Sequence, residues 1–290
     1  MHQFSLKYLR CVNCNSKLEL EEFEKSDEII EGFLLCSNCN STYPIILKIP
    51  ILWPDFVSYL SNRAQLGGYL MNEVKNTKLK SFVKNSLKKI KRPTSDVSKI
   101  EQRWVVTYKN SLKSRFYTHV KNSIKKLSQS NLVLEHGCSI GHMTQYLAQK
   151  HDIVFGIDQS FFAISEAKKN DCKNLDYFVA NSLKPPFGKT KFDLIIGLNI
   201  LELIEPFDLL KVISSQVKGT AVISDPYDFE RGQDSIKQRV DPKSLRAELK
   251  KLGFTLLQNT GKQSFLPWKL NINSRLSLHY KVDLIIARNS

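Results

Sequence analysis

No apolar run in this chain reaches the length of a bilayer crossing. The longest, Phe192 to Ile204, is interrupted by Asp193, Asn199 and Glu202 and falls short of the ~20 residues a spanning helix needs. A membrane span is therefore not expected. The opening MHQFSLKYLRCVNC lacks an apolar stretch followed by a small-residue cleavage site, which argues against a secretion signal. The expected location is cytoplasmic, where the six cysteines stay reduced or metal-bound. Repeats and low-complexity tracts are absent, the G-x-G-x-x-G of dinucleotide-binding turns does not occur, and the histidines show no metal-ligand spacing. What remains is an ordinary globular composition, 42% hydrophobic and 24% charged, in a chain long enough for a catalytic domain and a smaller appendage.

Acid is scarce in one segment. Residues 63 to 127 hold 17 Lys/Arg against 3 Asp/Glu, while the rest of the chain balances at 26 against 25. Nearly all of the net charge of +15 therefore sits in this block. Such a block can attract phosphates or an anionic surface, which makes RNA a candidate partner of residues 63–127. The alternative is a solvated lysine face with no partner.

Three zones follow. Residues 1–54 carry four cysteines in two pairs and end in YPIILKIPILWP, where Pro44, Pro50 and Pro54 exclude a helix. Residues 55–128 are expected to be helical: Tyr108, Leu112, Phe116, Val120, Ile124 and Leu127 recur every three or four positions, as do Leu79, Phe82/Val83, Leu87 and Ile90, with a loop over 91–98 between them. Residues 129–290 alternate short apolar strands with helical intervals, the pattern of a doubly wound α/β sheet. LVLEHG, IVFGID, LDYFVA, FDLIIGL, TAVISD, FTLLQN and HYKVDLIIAR supply seven strands. A late helix is delimited by Asp241 as cap, Pro242 at its first position and Gly253 at its end,.

Cys11-x-x-Cys14 and Cys36-x-x-Cys39 each allow a tight turn to aim two sulfurs at one ion. Two such turns close a tetrahedral four-sulfur shell for structural Zn²⁺, with no open position for substrate. Redox or disulfide chemistry is the competing use of paired cysteines. The remaining Cys138 and Cys172 are expected to be small buried residues. CVNCNSKL followed by GFLLCSNCNSTYPIILKIPIL resembles the small zinc-ribbon activator subunits of tRNA and release-factor methyltransferases over residues 11–52, which implies a protein partner for the ribbon. It departs from that pattern in having Leu47 and Lys48 where an acidic-glycine turn is usual.

The run LVLEHGCSIG places Glu135, Gly137, Ser139 and Gly141 at the carboxyl end of the first strand, where glycine lets the backbone approach a ligand,. About one strand-helix-strand unit later Asp158 ends IVFGID, and such an acid accepts both hydroxyls of a ribose,. A nicotinamide dinucleotide would need the phosphate cradle that is missing here. Over residues 131–287 these motifs resemble class I S-adenosylmethionine-dependent methyltransferases. The resemblance implies a seven-stranded sheet and a cofactor held by Glu135, Gly137, Cys138, Gly141, Asp158, Gln159, Asn181 and Leu198. Asn181, in VANSLKPPF, stands where the family usually has Asp, and Leu203 stands where it often has His.

The acceptor leaves less trace, because alignment behind the methyl carbon can supply most of the acceleration. Asn199, Glu202 and Tyr227, at the ends of the fourth and fifth strands, are the catalytic candidates, with Asp225 and Asp228 beside them. DPYD, residues 225–228, follows the fifth strand, unlike the Asn/Asp-Pro-Pro-Tyr signature of exocyclic-amine methyltransferases that it echoes. Trp104 and Tyr108 are expected either to cover the cofactor as a lid or to be core. Three functions stay open: methylation of RNA or a translation component, methylation of a small metabolite or peptide side chain, and a silent scaffold that binds partners through the ribbon.

Overall fold

The proline-rich segment forms the second hairpin of the ribbon. The computed structural model describes residues 1–91, 95–170, 172–230, 236–257 and 259–289. After a 3-10 turn at Gln3–Lys7, antiparallel strands β1 (Glu19–Lys25), β2 (Ile29–Leu35), β3 (Thr42–Ile46) and β4 (Ile49–Leu52) succeed one another. Leu47 and Lys48 join β3 to β4 with φ of 52° and 68°. Two consecutive left-handed residues are the signature of a type I′ hairpin, so the turn survives without its glycine at a conformational cost.

The helical zone contains α1 (Phe56–Ser61), α2 (Ala64–Glu73), α3 (Thr77–Lys88), α4 (Ser98–Asn110) and α5 (Arg115–Ile124). Asp55 caps α1 and Asn76 caps α3 through side-chain oxygens that accept backbone N–H groups,. The stripe from Tyr108 to Leu127 is expected to be one helix, but the chain breaks it at 111–114. Ser111 and Ser114 lie at the break, and their hydroxyls accept the amides of Asn271 and Lys269 at 2.8 and 3.0 Å. Serine hydroxyls that compete for backbone groups favour such interruptions. Of the 91–98 loop, residues 92–94 lie outside the described residues.

Beyond Asn131 come β5 (Leu132–His136), α6 (His142–Ala148), β6 (Ile153–Asp158), α7 (Phe161–Ala167), β7 (Leu175–Ala180), β8 (Phe192–Leu198), α8 (Pro206–Gln216), β9 (Val217–Asp225), α9 (Pro242–Lys251), β10 (Phe254–Leu256), β11 (Leu266–Asn271) and β12 (Ser277–Asn289). Twelve strands are therefore described where seven were expected. The ribbon adds four, and the fifth is β11, an antiparallel partner of β12, whose alternation of Leu266, Trp268 and Leu270 is masked by Pro267, a residue that argues against a strand. The segment FTLLQN yields only Phe254–Leu256 as strand, and its Gln258 lies outside the described residues. At α9 Asp241 and Ser244 form a reciprocal capping box, and Gly253 follows at φ 88°.

The chain divides into two compact units. The first comprises Met1–Val105, Ser139–Gly141 and Ile157–Thr190. In it β4 runs parallel to β7, with Ile51 opposite Val179 and Leu52 opposite Ala180. An ionic network is buried there: Lys168 contacts both Glu28 and Asp176, and Asp176 also accepts the hydroxyl of Ser5 at 2.6 Å. The second unit comprises Val106–Cys138, His142–Gly156 and Lys191–Ser290. Its parallel strands β5, β8 and β9 pair in that order, and β12 closes on β9 antiparallel. These central strands bury Val133, Leu134, Ile195, Ile196, Val222 and Ile286, the continuous apolar runs expected of strands covered on both faces.

Candidate cofactor site and cysteine cluster

In the first unit, the two cysteine turns are built alike. The Cys11 amide donates to Ser16 O and the Cys36 amide to Ser41 O, both at 2.9 Å, and Asn15 and Asn40 take left-handed φ of 61° and 57°. The sequence carries this in the parallel C-x-N-C-N-S of residues 11–16 and 36–41, a local duplication that a search for long repeats passes over. The Sγ atoms of Cys11, Cys14, Cys36 and Cys39 lie within 4.8 Å of one another, with Cys11–Cys39 and Cys14–Cys36 each at 3.4 Å. A zinc ion with bonds of about 2.3 Å to sulfur needs tetrahedron edges of roughly 3.8 Å, so the cluster has the right size. Hydrogen bonds from Ser16 and Asn38 bring the Cys14 thiol down to about 5, and the Ser41 hydroxyl lowers Cys39. Burial pushes Cys36 up to about 12. Thiolate is thus favoured at Cys14 and Cys39, and the buried Cys36 sulfur is where a cation is most needed. Tyr43 Oη lies 3.0 Å from Cys11 Sγ, a contact of the kind that orients a metal ligand.

The same unit contains Ser139, Gly141, Asp158, Gln159 and Asn181. Ser139 and Gly141 have φ of 49° and 73°, and the Ser139 amide donates to Asp158 Oδ2 at 2.9 Å. Oδ1 of Asp158 accepts the Ser160 amide at 2.9 Å. Asp158 is half-buried at the end of β6; burial raises its pKa, opposed by the two serine amides and by Arg63. Each carboxylate oxygen keeps a second lone pair, which is what a ribose diol requires. Gly141 has no room for a side chain, since a Cβ there would stand 2.4 Å from Tyr177 Oη. Gln159 is exposed, and its carbonyl accepts the Tyr59 hydroxyl at 3.0 Å. Asn181 turns its Oδ1 to the amide of Leu183 at 2.9 Å, which leaves its NH₂ as the group for a base edge.

Sequence reasoning missed the support beneath Asp158. Arg63 is 5% exposed and donates through Nε and Nη2 to Glu101 Oε1 at 3.0 and 2.8 Å. Its guanidinium lies 4.4 Å from the centre of the Tyr59 ring. A cation on the stripe Tyr59, Arg63, Leu66, Leu70 was the available signal, because an arginine among apolar positions is buried only with a partner. Trp104 and Tyr108 are both half-buried on α4. Cys138 is buried as expected, whereas Cys172 is exposed.

In the second unit, Glu135 is 3% exposed and accepts the Thr144 hydroxyl, and Gly137 has φ 65° with a virtual Cβ 2.7 Å from Ile200 Cδ1. Leu198, half-buried, ends β8. Asn199 follows at φ 54°; its amide donates to Ser224 O at 2.7 Å, and its Oδ1 accepts the Ser224 hydroxyl at 2.8 Å. A non-glycine residue held in this conformation is a form of strain found at functional sites. Glu202, fully buried, accepts the Asp228 amide at 3.1 Å. Asp225 accepts the Tyr227 amide at 2.7 Å and is held up to about 7 by burial. The Tyr227 hydroxyl is committed elsewhere: it donates to Asp283 Oδ2 at 2.8 Å, a carboxylate that Arg246 grips with both Nη atoms at 2.6 and 3.0 Å. Asn199, Glu202 and Asp225 thus gather at the carboxyl ends of β8 and β9, the rim where open α/β sheets bind ligands.

A parallel sheet with a glycine-bearing turn after its first strand and an acid after its second is the arrangement of nucleotide-binding α/β folds. Residues 133–218 match the family described as a methyltransferase domain. Among solved structures, a chain of the complex between the Haloferax volcanii Trm112 methyltransferase activator and a methyltransferase is similar at 15% identity and TM-score 0.54, over 67% of this chain and 97% of that one. Magnesium protoporphyrin IX methyltransferase from Synechocystis gives 15% identity and TM-score 0.46, over 80% of this chain and 97% of that one. No curated protein matches the sequence. The likeness to the chain of the Haloferax complex is one of fold. No helix among the described residues is long and apolar enough to cross a membrane.

Proposed function

We propose that this chain is a cytoplasmic S-adenosylmethionine-dependent methyltransferase acting on RNA or a translation component, with a zinc ribbon in residues 1–54, a basic helical segment in 55–128 and the catalytic domain in 129–290. The observation that carries the reading is the left-handed turn of Ser139 and Gly141 tied to Asp158, within a segment that matches a methyltransferase domain. The first-unit residues proposed to hold the cofactor are Gly141, Asp158, Gln159 and Asn181. S-adenosylmethionine supplies an electrophilic methyl group when bound. Asp158 takes the ribose, Asn181 donates to adenine, and Asn199 and Glu202 orient the acceptor. Zinc on the four cysteines folds the ribbon, which is also the surface for a protein partner.

A second reading, methylation of a small amine or a peptide side chain, is favoured by Asp225. A buried carboxyl brought up to about 7 is matched to proton removal near neutral pH, and Glu202 beside it suits a cationic acceptor. Calorimetry with S-adenosylhomocysteine tests the cofactor, and methyl-labelled S-adenosylmethionine offered to RNA, protein and metabolite fractions separates the acceptors. Asp158→Ala is expected to abolish labelling. Parent-like labelling by that variant, or no affinity of the folded, zinc-loaded chain for S-adenosylhomocysteine, refutes the proposal.

A further inference from the structure

The basic block is not a uniform surface. Arg63 is buried in its pair with Glu101, and Lys75 and Lys78 lean on Glu24 and Glu21 of β1 at 3.6 and 2.5 Å. Lys80, Lys84 and Lys88 are different. They are exposed, make no ion pair among the described residues, and recur every fourth residue of α3. They therefore form one row with a rise of about 6 Å between neighbours, continued by exposed Lys91 just past the helix. Like charges at this spacing destabilise a helix, so the row is not there to stabilise α3.

The opposite face of α3 is firmly seated. Leu79 and Val83 are fully buried, and Phe82 packs against Phe33 and Phe56 at ring-centre distances of 5.1 and 5.4 Å. Glu31, 2% exposed on β2, accepts the amides of Lys75 and Asn76, both at 2.8 Å. A buried carboxylate with both oxygens on the chain entering a helix fixes where that helix starts and favours its positive end. The ribbon thus holds a row of unpaired cations in place.

We propose that Lys80, Lys84, Lys88 and Lys91, presented on the zinc ribbon through Glu31, dock the sugar–phosphate backbone of RNA. The inference deepens the RNA reading of the substrate and rests on it. Between lysines the exposed face offers Ser81 and Asn85, which hydrogen-bond to phosphate or sugar oxygens as positioning contacts do. The large apolar side chains of α3 are buried or half-buried. A membrane-binding helix needs such groups on its outer face, so RNA is favoured over a lipid surface.

The test uses the full, zinc-loaded chain, a dye-labelled 20-nucleotide oligouridylate and anisotropy titrations across a range of KCl. Each phosphate contact on a single strand contributes about 0.7 to the slope of log K against log salt. Lys80→Gln/Lys84→Gln/Lys88→Gln is therefore expected to reduce the slope by roughly 2 and to weaken binding at least tenfold at low salt. Lys75→Gln/Lys78→Gln, whose charges are already paired, is expected to change the slope by less than about 1. The triple variant should fold at least as stably as the parent, and unchanged affinity for S-adenosylhomocysteine certifies its intact methyltransferase portion. Parent-like slope and affinity in the triple variant overturn the proposal, as does a parent that binds phosphatidylserine vesicles but not the oligonucleotide. Either result with cofactor affinity intact leaves the methyltransferase reading standing, and loss of cofactor affinity in the parent sinks that reading instead.

Discussion

Replacing Gly141 by alanine tests whether the cofactor turn is shaped as described. The backbone there has φ 73°, and an L-residue in the left-handed region loses roughly 1–2 kcal/mol. The added methyl also meets Tyr177 Oη at 2.4 Å, Tyr177 Cζ at 2.8 Å and Ala167 Cβ at 2.9 Å, all in buried surroundings, and overpacking of this kind adds about 1–3 kcal/mol. The expected loss is roughly 2–5 kcal/mol, measurable by urea denaturation. Tyr177→Phe removes the oxygen that stands nearest, whose hydrogen bond to Gly141 O is long at 3.4 Å. Gly141→Ala/Tyr177→Phe should recover about 1 kcal/mol of the steric part and none of the backbone part, a coupling that a double-mutant cycle isolates. Calorimetry with S-adenosylhomocysteine should show a weaker complex for Gly141→Ala, because the Ser139 amide that meets Asp158 lies two residues before the displaced backbone. An alanine variant as stable as the parent, or a double variant no better than the single, would refute this account of the turn.

Dialysis against a chelator is expected to release one zinc per chain and to cost the ribbon its strand signal by circular dichroism; retention of that signal after metal removal refutes a structural role. Leu47→Asn, at φ 52° in the β3–β4 hairpin, should raise stability by about 0.5–1 kcal/mol, since asparagine tolerates that conformation. Asp283→Ala should cost about 3–5 kcal/mol because it leaves buried Arg246 unpaired,, and Asp283→Ala/Arg246→Met should recover part of it. His136, fully buried in β5, is held down from 6.5 to about 4 by burial. Its folded pKa is below its unfolded one, so the unfolded chain takes the proton first: stability present above pH 6.5 is lost as pH falls toward 4, by about 3 kcal/mol in all. His136→Leu should flatten denaturation midpoints across that window, and an unchanged slope refutes the assignment.

The parts of the molecule that were legible from sequence are those where one local rule decides. Apolar runs such as FDLIIGL could only be buried strands, paired cysteines could only converge if their turns matched, and Asp241-Pro242 with Gly253 marked both ends of α9. The parts that were not legible depend on partners distant in sequence. Nothing near Ser111 or Ser114 reveals that the amides of residues 269 and 271 need their hydroxyls, so the helix break was invisible. Tyr227 is a rim residue by position, yet its hydroxyl answers to Asp283 and Arg246. Arg63 counted toward the basic block, but Glu101 withdraws it from the surface.

The ribbon looks like an appendage in sequence, and the first unit contradicts that appearance physically. β4 pairs in parallel with β7, and the last matched pair, Leu52 with Ala180, stops one residue before Asn181. The ribbon also supplies Glu28 and Ser5 to the buried network of Lys168 and Asp176. Removing Glu28 would leave the buried Lys168 ammonium and the Met1 amino group with one carboxylate fewer between them, which costs stability in a dry interior. Zinc binding energy is folding energy for a small ribbon; zinc on the proposed four-sulfur site would therefore hold β4, which pairs with the strand that leads into Asn181. Metal removal should therefore weaken S-adenosylhomocysteine binding although none of the four ribbon cysteines is among its proposed ligands. A metal-free chain that still binds it with parent affinity would show that β7 keeps its place without the ribbon.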